Sequence, residues 1–198
     1  MMKKVLVVFT CFALLLSFAA CMKPDTQTTQ PTETAEPQPT LPAEGNQLGN
    51  LCPGKDLPVI IGEGETGETI NPAKTGKVTV INFWGTWCGP CVSELPHFDE
   101  VAETYSDTVT VIGIHSVEGR KKAPAYLAEN FPDSKIVFSW EDSEGYVGDY
   151  YLQLGGGAGY PYTVILDANG IITFKQLGMM SLEQLTAEVE AAGGIANS

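Results

Sequence analysis

The fold is decided by residues 78–91, which read Val-Thr-Val-Ile-Asn-Phe-Trp-Gly-Thr-Trp-Cys-Gly-Pro-Cys. The run Val78–Phe83 is apolar and rich in β-branched side chains, which is typical of a strand covered on both faces of a sheet. Pro90 opens a second segment, to about Ser106, in which apolar residues recur at helical spacing. The stretch therefore predicts a buried strand that leads directly into a helix, with two cysteines at the junction.

Further strands and helices alternate through the rest of residues 48–198. Strands are predicted at Val59–Ile61, Thr110–His115, Ile136–Trp140, Thr163–Asp167 and Ile171–Gln176, and helices around Pro124–Asn130, at Gly145–Leu154 and from Ser181. Asn169-Gly170, between the last two strands, is a strong hairpin sequence. Since strands joined by helices run parallel and a hairpin is antiparallel, we expect an α/β domain with a mixed sheet and helices on both faces.

The segment 1–20 has the pattern of an export signal. Two lysines precede an apolar run over residues 5–18, and small residues follow, as in a secretory signal peptide that is removed. The run is shorter than a membrane-spanning helix requires. The sequence Phe18-Ala-Ala-Cys21 resembles a bacterial lipobox, in which the cysteine is acylated, so we expect Cys21 to carry a lipid anchor. Ordinary signal cleavage with an incidental Cys21 is the alternative.

Residues 21–47 are rich in Thr, Gln, Pro and Glu and contain almost no aliphatic side chains. Such a segment cannot bury enough apolar surface to offset chain entropy, so it predicts a disordered tether that its prolines keep extended. The expected parts are a lipoprotein signal peptide at 1–20, a tether at 21–47 that begins with lipidated Cys21, and a folded domain at 48–198. We expect the protein on the extracytoplasmic face of the cytoplasmic membrane, in the cell envelope.

The charge balance argues against two classes of partner. The chain has 24 acidic and 11 basic residues, and its formal net charge is −13. Nucleic acid and anionic lipid surfaces would both repel such a chain. We therefore expect no nucleic-acid partner, and attachment to the membrane through the lipid anchor rather than through charge.

The two cysteines at the junction are suited to redox chemistry. Cys88 is placed at the helix N-terminus, where free N–H groups and the helix dipole favour a thiolate and lower the thiol pKa from its usual value of about 8.5. Cys91, one helical turn further on, can close a short disulfide while it stays shielded. Two alternatives are half of a zinc site, for which Cys52, His97 and His115 are too scattered, and two incidental core residues.

Glu94 follows Cys91 by three residues, so both side chains fall on one face of the predicted helix. A carboxyl group that faces the sheet there is partly desolvated, which raises its pKa and suits it to exchange a proton with Cys91. The alternative is an ordinary solvated helix glutamate.

The segment from Asn82 to Pro96 resembles the active-site segment of the TlpA/ResA-like thioredoxins, which are exported and often membrane-anchored disulfide reductases. The resemblance runs from Gly49 to about Ala192. Further matching pieces are Gly159-Tyr-Pro161, Ile165-Leu-Asp-Ala-Asn-Gly170 and Leu177-Gly178. It implies a thioredoxin-like sheet with an N-terminal strand or hairpin and a central insertion. It also implies a redox-active disulfide between the two cysteines, with no other cofactor and no metal.

The resemblance implies roles for single residues. In thioredoxin itself the comparable acid lies on the preceding strand, where this chain has Asn82, so Glu94 is expected to do the proton transfer. Pro161 is expected to be cis and to face the cysteines, although Tyr160 and Tyr162 beside it depart from the family pattern. The expected catalytic residues are Cys88, Cys91 and Glu94, and the expected substrate contacts are Trp87, Gly89, Pro90, Tyr160 and Pro161.

These observations predict a thiol–disulfide oxidoreductase in which Cys88 attacks a substrate disulfide and Cys91 releases the product. A Gly-Pro pair between the cysteines resembles thioredoxin, at about −270 mV, more than the strong oxidants at about −120 mV, so we expect a reductant. The family implies protein clients, in cytochrome c maturation or in support of methionine sulfoxide reductases. It also implies a membrane electron donor of the CcdA/DsbD type. We expect a monomer.

Two other functions are weighed against this one. A thiol peroxidase of the peroxiredoxin type would need proline and threonine where this chain has Ile81 and Gly85. A copper-delivery protein on a thioredoxin fold spaces its cysteines as Cys-x-x-x-Cys with a distant histidine, for which His115 is the candidate. Cys52 is interpreted as a small buried side chain, and His97 as a helix-surface residue.

Overall fold

A computed structural model of the protein describes residues 42–61, 64–116, 122–141, 148–157 and 159–198. The predicted signal peptide, Cys21 and most of the predicted tether lie outside the described residues. The end of that tether contacts the domain, since Lys175 Nζ donates a hydrogen bond to the Asn46 carbonyl at 2.6 Å.

The described residues form one seven-stranded mixed sheet. In chain order its strands are β1 Leu57–Ile61, β2 Gly64–Ile70, β3 Val78–Trp84, β4 Val109–His115, β5 Val137–Trp140, β6 Tyr162–Leu166 and β7 Ile172–Leu177. Across the sheet the order is β2-β1-β5-β4-β3-β6-β7. β4 runs parallel to β3 and to β5, whereas the pairs β1–β2, β1–β5, β3–β6 and β6–β7 are antiparallel. The predicted mixed sheet is confirmed, and β3 lies inside it.

Helices pack on both faces of the sheet, as predicted. Their bounds are α1 Gly89–Thr104, α2 Lys122–Asn130, α3 Asp149–Gln153 and α4 Leu182–Ala191. Side chains of α1, α2 and α4 share one core with Val80 and Trp84 of β3, and α3 shares the other core with Ile81 and Phe83. β3 serves both cores because successive strand residues point to opposite faces. Among the residues that the structure describes, we find no helix that could span a lipid bilayer.

Two additions surround the central strands, as the family resemblance implies. β1 and β2 form an N-terminal hairpin that joins the sheet through β5. The segment from α2 to α3 lies between β4 and β6 in the chain, which is compatible with a central insertion. The thioredoxin-like fold class is therefore confirmed.

A glycine in the β6–β7 turn and a serine cap on α4 explain the local structure of these two elements. At the β6–β7 turn Gly170 has a φ of +80°, and a Cβ atom there would lie 2.7 Å from the Ala73 carbonyl oxygen. The position therefore requires glycine on two grounds, the left-handed backbone and the close approach. Ser181 caps α4, since its side chain accepts the Gln184 N–H at 3.2 Å.

Candidate active site

The cysteine pair lies where β3 leads into α1. Cys88 is the N-cap residue of α1, with extended backbone angles of φ −92° and ψ 95°. Its sulfur is bonded to that of Cys91 at 2.05 Å and accepts the Cys91 backbone N–H at 3.3 Å. The Cys91 N–H at the start of α1 thus points at the Cys88 sulfur. This arrangement favours a thiolate once the disulfide is reduced.

The two sulfurs differ in their access to other proteins. Cys91 is 0% exposed, whereas Cys88 keeps 5% of its surface. The residues beside Cys88 are open, since Trp87 is 51% exposed and Gly89 and Pro90 are also exposed. Cys88 is therefore the more accessible of the two cysteines, and Cys91 is covered.

Glu94 is fully buried and faces the sheet. Its Oε1 accepts a hydrogen bond from Nδ2 of Asn82 at 2.8 Å, and its Oε2 accepts the Met180 backbone N–H at 2.9 Å. Burial raises the pKa of Glu94 to about 6, although these two hydrogen bonds and the charge of His97 lower it. The interpretation as a solvated helix glutamate is wrong. The carboxyl group instead has the raised pKa that its position in the sequence predicts.

Asn82 links Glu94 to the neighbouring strand. It lies beside Thr163 of β6 in the strand register, and its Nδ2 also donates to Thr163 Oγ1 at 3.2 Å. Both residues are buried. Sequence reasoning misses Thr163 and Met180 as partners because they stand 81 residues from Asn82 and 86 residues from Glu94 in the chain, where no local pattern connects them.

The segment before β6 carries a further predicted feature. The Tyr160–Pro161 peptide bond is cis, as the family resemblance implies. The Tyr160 ring meets Trp87 edge-on, with 5.4 Å between the centroids, and stacks on Tyr151 of α3 at 4.7 Å. Tyr151 in turn donates from its hydroxyl to the Gly159 carbonyl at 2.6 Å. The cis-proline segment and the cysteine segment thus lie side by side, supported by Tyr151, which sequence reasoning misses.

Cys52 and His115 lie outside the cysteine pair, and each contacts a neighbouring side chain or backbone group. Cys52 is 2% exposed, its sulfur lies 3.6 Å from the Tyr150 hydroxyl, and burial raises its pKa to about 11. These properties fit the interpretation of Cys52 as a small buried side chain. His115 is buried at the end of β4, where its Nε2 accepts the Thr86 N–H at 3.4 Å. Within the described ranges, no group of three or more His, Cys, Asp or Glu side chains is arranged to hold a metal ion.

Comparison with known proteins identifies the family. The Redoxin family model matches residues 53–192, a range that contains all seven strands described above, the cysteine pair and Glu94. The chain belongs to the Redoxin family. The predicted relationship to the thioredoxin-like disulfide reductases is thereby confirmed at the level of the family.

Named relatives of this Redoxin protein include a thioredoxin-like protein and several thiol:disulfide interchange proteins. It is 28% identical over 148 residues to the thioredoxin-like protein YneN of Bacillus subtilis, covering 74% of this chain and 81% of the relative. It is 30% identical over 157 residues to the thiol:disulfide interchange protein DsbE of Pseudomonas fluorescens, covering 76% and 81%. Other DsbE relatives are matched over only 51% of their own length.

A solved structure supports the fold. The Redoxin protein superposes on a thiol:disulfide interchange protein DsbE of Chlorobium tepidum with a TM-score of 0.61 at 22% identity, over 74% of this chain and 97% of the other. The family, the DsbE relative and the Cys88–Cys91 disulfide together make this protein a thiol–disulfide oxidoreductase. The predicted enzyme class is confirmed.

Proposed function

We propose that this thiol–disulfide oxidoreductase is an extracytoplasmic reductant of disulfides in other exported proteins. The observation that carries the proposal is the asymmetry of the cysteine pair. Cys88 is the more accessible sulfur and caps a helix, while Cys91 is covered and shares a helix face with buried Glu94. This arrangement suits an attacking sulfur and a resolving sulfur that has its own proton acceptor.

The reaction uses two exchanges. The Cys88 thiolate attacks one sulfur of the client disulfide, forms a mixed disulfide and releases the other client sulfur as a thiolate, which takes a proton from water. Cys91 then gives its proton to the Glu94 carboxylate and attacks the Cys88 sulfur, which expels the first client sulfur as a second thiolate. Two electrons pass from the cysteine pair to the client, and the Cys88–Cys91 disulfide remains.

The client groove is proposed to lie along the exposed side of the pair. It combines an aromatic wall of Trp87 and Tyr160, whose rings touch, with the backbone of the cis-proline segment. The proposed client contacts are Trp87, Gly89, Pro90, Tyr160 and Pro161. Clients are proteins with disulfides, of the kind found in cytochrome c maturation or in methionine sulfoxide reductases.

The cellular setting is proposed from the N-terminal sequence. Residues 1–20 read as a lipoprotein signal peptide and Cys21 as the lipidated residue, which would tether the domain outside the cytoplasmic membrane. A membrane donor of the CcdA/DsbD type would return electrons to the Cys88–Cys91 disulfide. The protein works as a monomer in this proposal and uses no cofactor beyond that disulfide.

The reduction potential tests the direction of the reaction. We expect the Cys88–Cys91 pair to equilibrate with a glutathione buffer at a potential near that of thioredoxin, about −270 mV. Cys52→Ser is the control, and its potential should equal that of the parent because Cys52 is buried away from the pair in the opposite core. A potential of about −120 mV, typical of strong oxidants, would make the protein an oxidant of its clients instead.

A further inference from the structure

The side-chain amide of Asn82 is used unevenly. Its Nδ2 group makes two hydrogen bonds, to Glu94 Oε1 at 2.8 Å and to Thr163 Oγ1 at 3.2 Å. Its Oδ1 is buried without a hydrogen-bond partner in the structure, and the residue is only 1% exposed. Buried polar atoms nearly always have partners. Because Oδ1 makes no hydrogen bond, a half-turn of the amide would break only the two hydrogen bonds of Nδ2.

The partners of Asn82 permit such an orientation. A carboxylate can only accept hydrogen bonds, but a protonated carboxyl group also donates one, and a threonine hydroxyl can do either. A half-turn of the amide would place Oδ1 where Nδ2 now lies. There it would accept hydrogen bonds from protonated Glu94 and from the Thr163 hydroxyl. Glu94 and Thr163 thus keep Asn82 as a partner in both protonation states of Glu94, and after the half-turn the Nδ2 group occupies the place without a partner where Oδ1 now lies.

We propose that Asn82 is a positioning residue for proton transfer at Glu94, whose amide donates to the carboxylate and, after a half-turn, accepts from the protonated carboxyl group. The inference rests on the proposed function, in which Glu94 takes the proton of Cys91. Asn82 acts through Glu94. Leucine at this position would offer no N–H to the carboxylate, and aspartate would add a second buried negative charge.

None of the other described groups around Glu94 can take the role proposed for Asn82. In the described part of the chain, His97 on the same helix acts on the carboxylate by charge, and its Nδ1 lies 3.1 Å from the Met180 carbonyl oxygen. The cysteines of α1 are joined to each other and do not titrate in this state. Thr163 from β6 and Met180 from the loop before α4 are uncharged. The Met180 N–H donates to Glu94 from the backbone and has no second orientation to offer.

A titration of Glu94 in the disulfide form tests the inference. The side-chain carboxyl carbon-13 signal, assigned with Glu94→Gln, is followed against pH in the parent, in Asn82→Leu and in Thr79→Val. We expect Asn82→Leu to raise the midpoint by about half a pH unit or more, because the ionised form loses a charge-assisted hydrogen bond, which is stronger than the neutral one that the protonated form loses. Thr79→Val is the matched control. It removes a buried hydroxyl from the same strand, one that bonds to Thr75 instead, and should keep the parent midpoint.

A folded Asn82→Leu protein with the parent midpoint would overturn the inference. A second measurement on the parent itself is independent of whether that variant folds. The nitrogen-15 and proton signals of the Asn82 side-chain amide should shift with pH at the same midpoint as Glu94, and signals that stay constant through this titration would also overturn it. Neither measurement involves a client or a turnover. Failure here is therefore distinguishable from failure of the proposed function, which the reduction potential and client capture test.

Discussion

Replacing Cys91 by serine is expected to turn the protein into a covalent trap for its clients. Without the Cys91 sulfur, a mixed disulfide at Cys88 has no resolving group. Its lifetime should rise to roughly the minutes or hours that uncatalysed disulfide exchange takes. Cys88→Ser should capture nothing, because Cys91 is 0% exposed. The measurement is non-reducing electrophoresis of each full-length variant with a disulfide client, followed by mass spectrometry of the linked peptides.

The remaining thiol of the domain provides the control. Cys52 is buried and its pKa is raised to about 11, so it is a poor nucleophile near neutral pH. A Cys52→Ser change in the Cys91→Ser background should leave capture unaltered. Capture by Cys88→Ser, or loss of capture with Cys52→Ser, would show that the attacking sulfur has been assigned to the wrong residue.

Replacing Glu94 by glutamine is expected to slow release of the client without slowing the first attack. In the parent, release should speed up as pH rises through about 6, because Glu94 must be ionised to take the proton of Cys91. In Glu94→Gln, release should fall by about a hundredfold at neutral pH and lose this step in its pH profile. Single-turnover kinetics of mixed-disulfide decay measure both effects.

An exposed glutamate of the same helix provides the matched control. Glu100 lies on α1 and is exposed, so Glu100→Gln should keep the parent rates and pH profile. A Glu94→Gln protein that releases its client as fast as the parent, with the same dependence on pH, would remove Glu94 from the mechanism.

The raised pKa of Glu94 also determines whether the free energy of unfolding rises or falls with pH. The native carboxyl holds its proton up to about pH 6, whereas an unfolded glutamate releases it near 4.5. The native state therefore binds more protons between these values, and the free energy of unfolding falls as pH rises through this window, by about 2 kcal/mol. The stabilising term is fully present below pH 4.5. Glu94→Gln should lack this decrease, which denaturant titrations at several pH values can measure.

The elements nearest the site could be predicted because burial leaves a pattern in their sequences. All seven residues of β3 are buried, and a mostly apolar run, interrupted only by Thr79 and Asn82, is the direct result. The hairpin was predictable from Asn169-Gly170, since the turn needs a glycine with positive φ at its second residue. β2, by contrast, pairs only with β1 at the edge of the sheet. Its sequence Gly-Glu-Thr-Gly-Glu-Thr-Ile shows no apolar alternation, so periodicity gives no indication of it.

The candidate site also has one part that the sequence predicts and one part that it does not. Cys88, Cys91 and Glu94 share one helix, so their spacing alone predicts a common face. The donors to Glu94 lie on β3 and on the loop before α4, and Tyr151 reaches Tyr160 from α3. Such contacts depend on how the helices pack on the sheet, which local spacing does not specify. The cis bond before Pro161 was accessible through the family resemblance and not through the residues themselves.

The proposed mechanism requires the start of α1 to hold the Cys88 sulfur as a thiolate, and the pKa of Cys88 in the reduced protein is the decisive measurement of this property. The Cβ carbon-13 signal of Cys88 follows its ionisation separately from that of Cys91 and Cys52. We predict a midpoint at least about one unit below that of a free cysteine. A midpoint at or above about 8.5 would contradict the account.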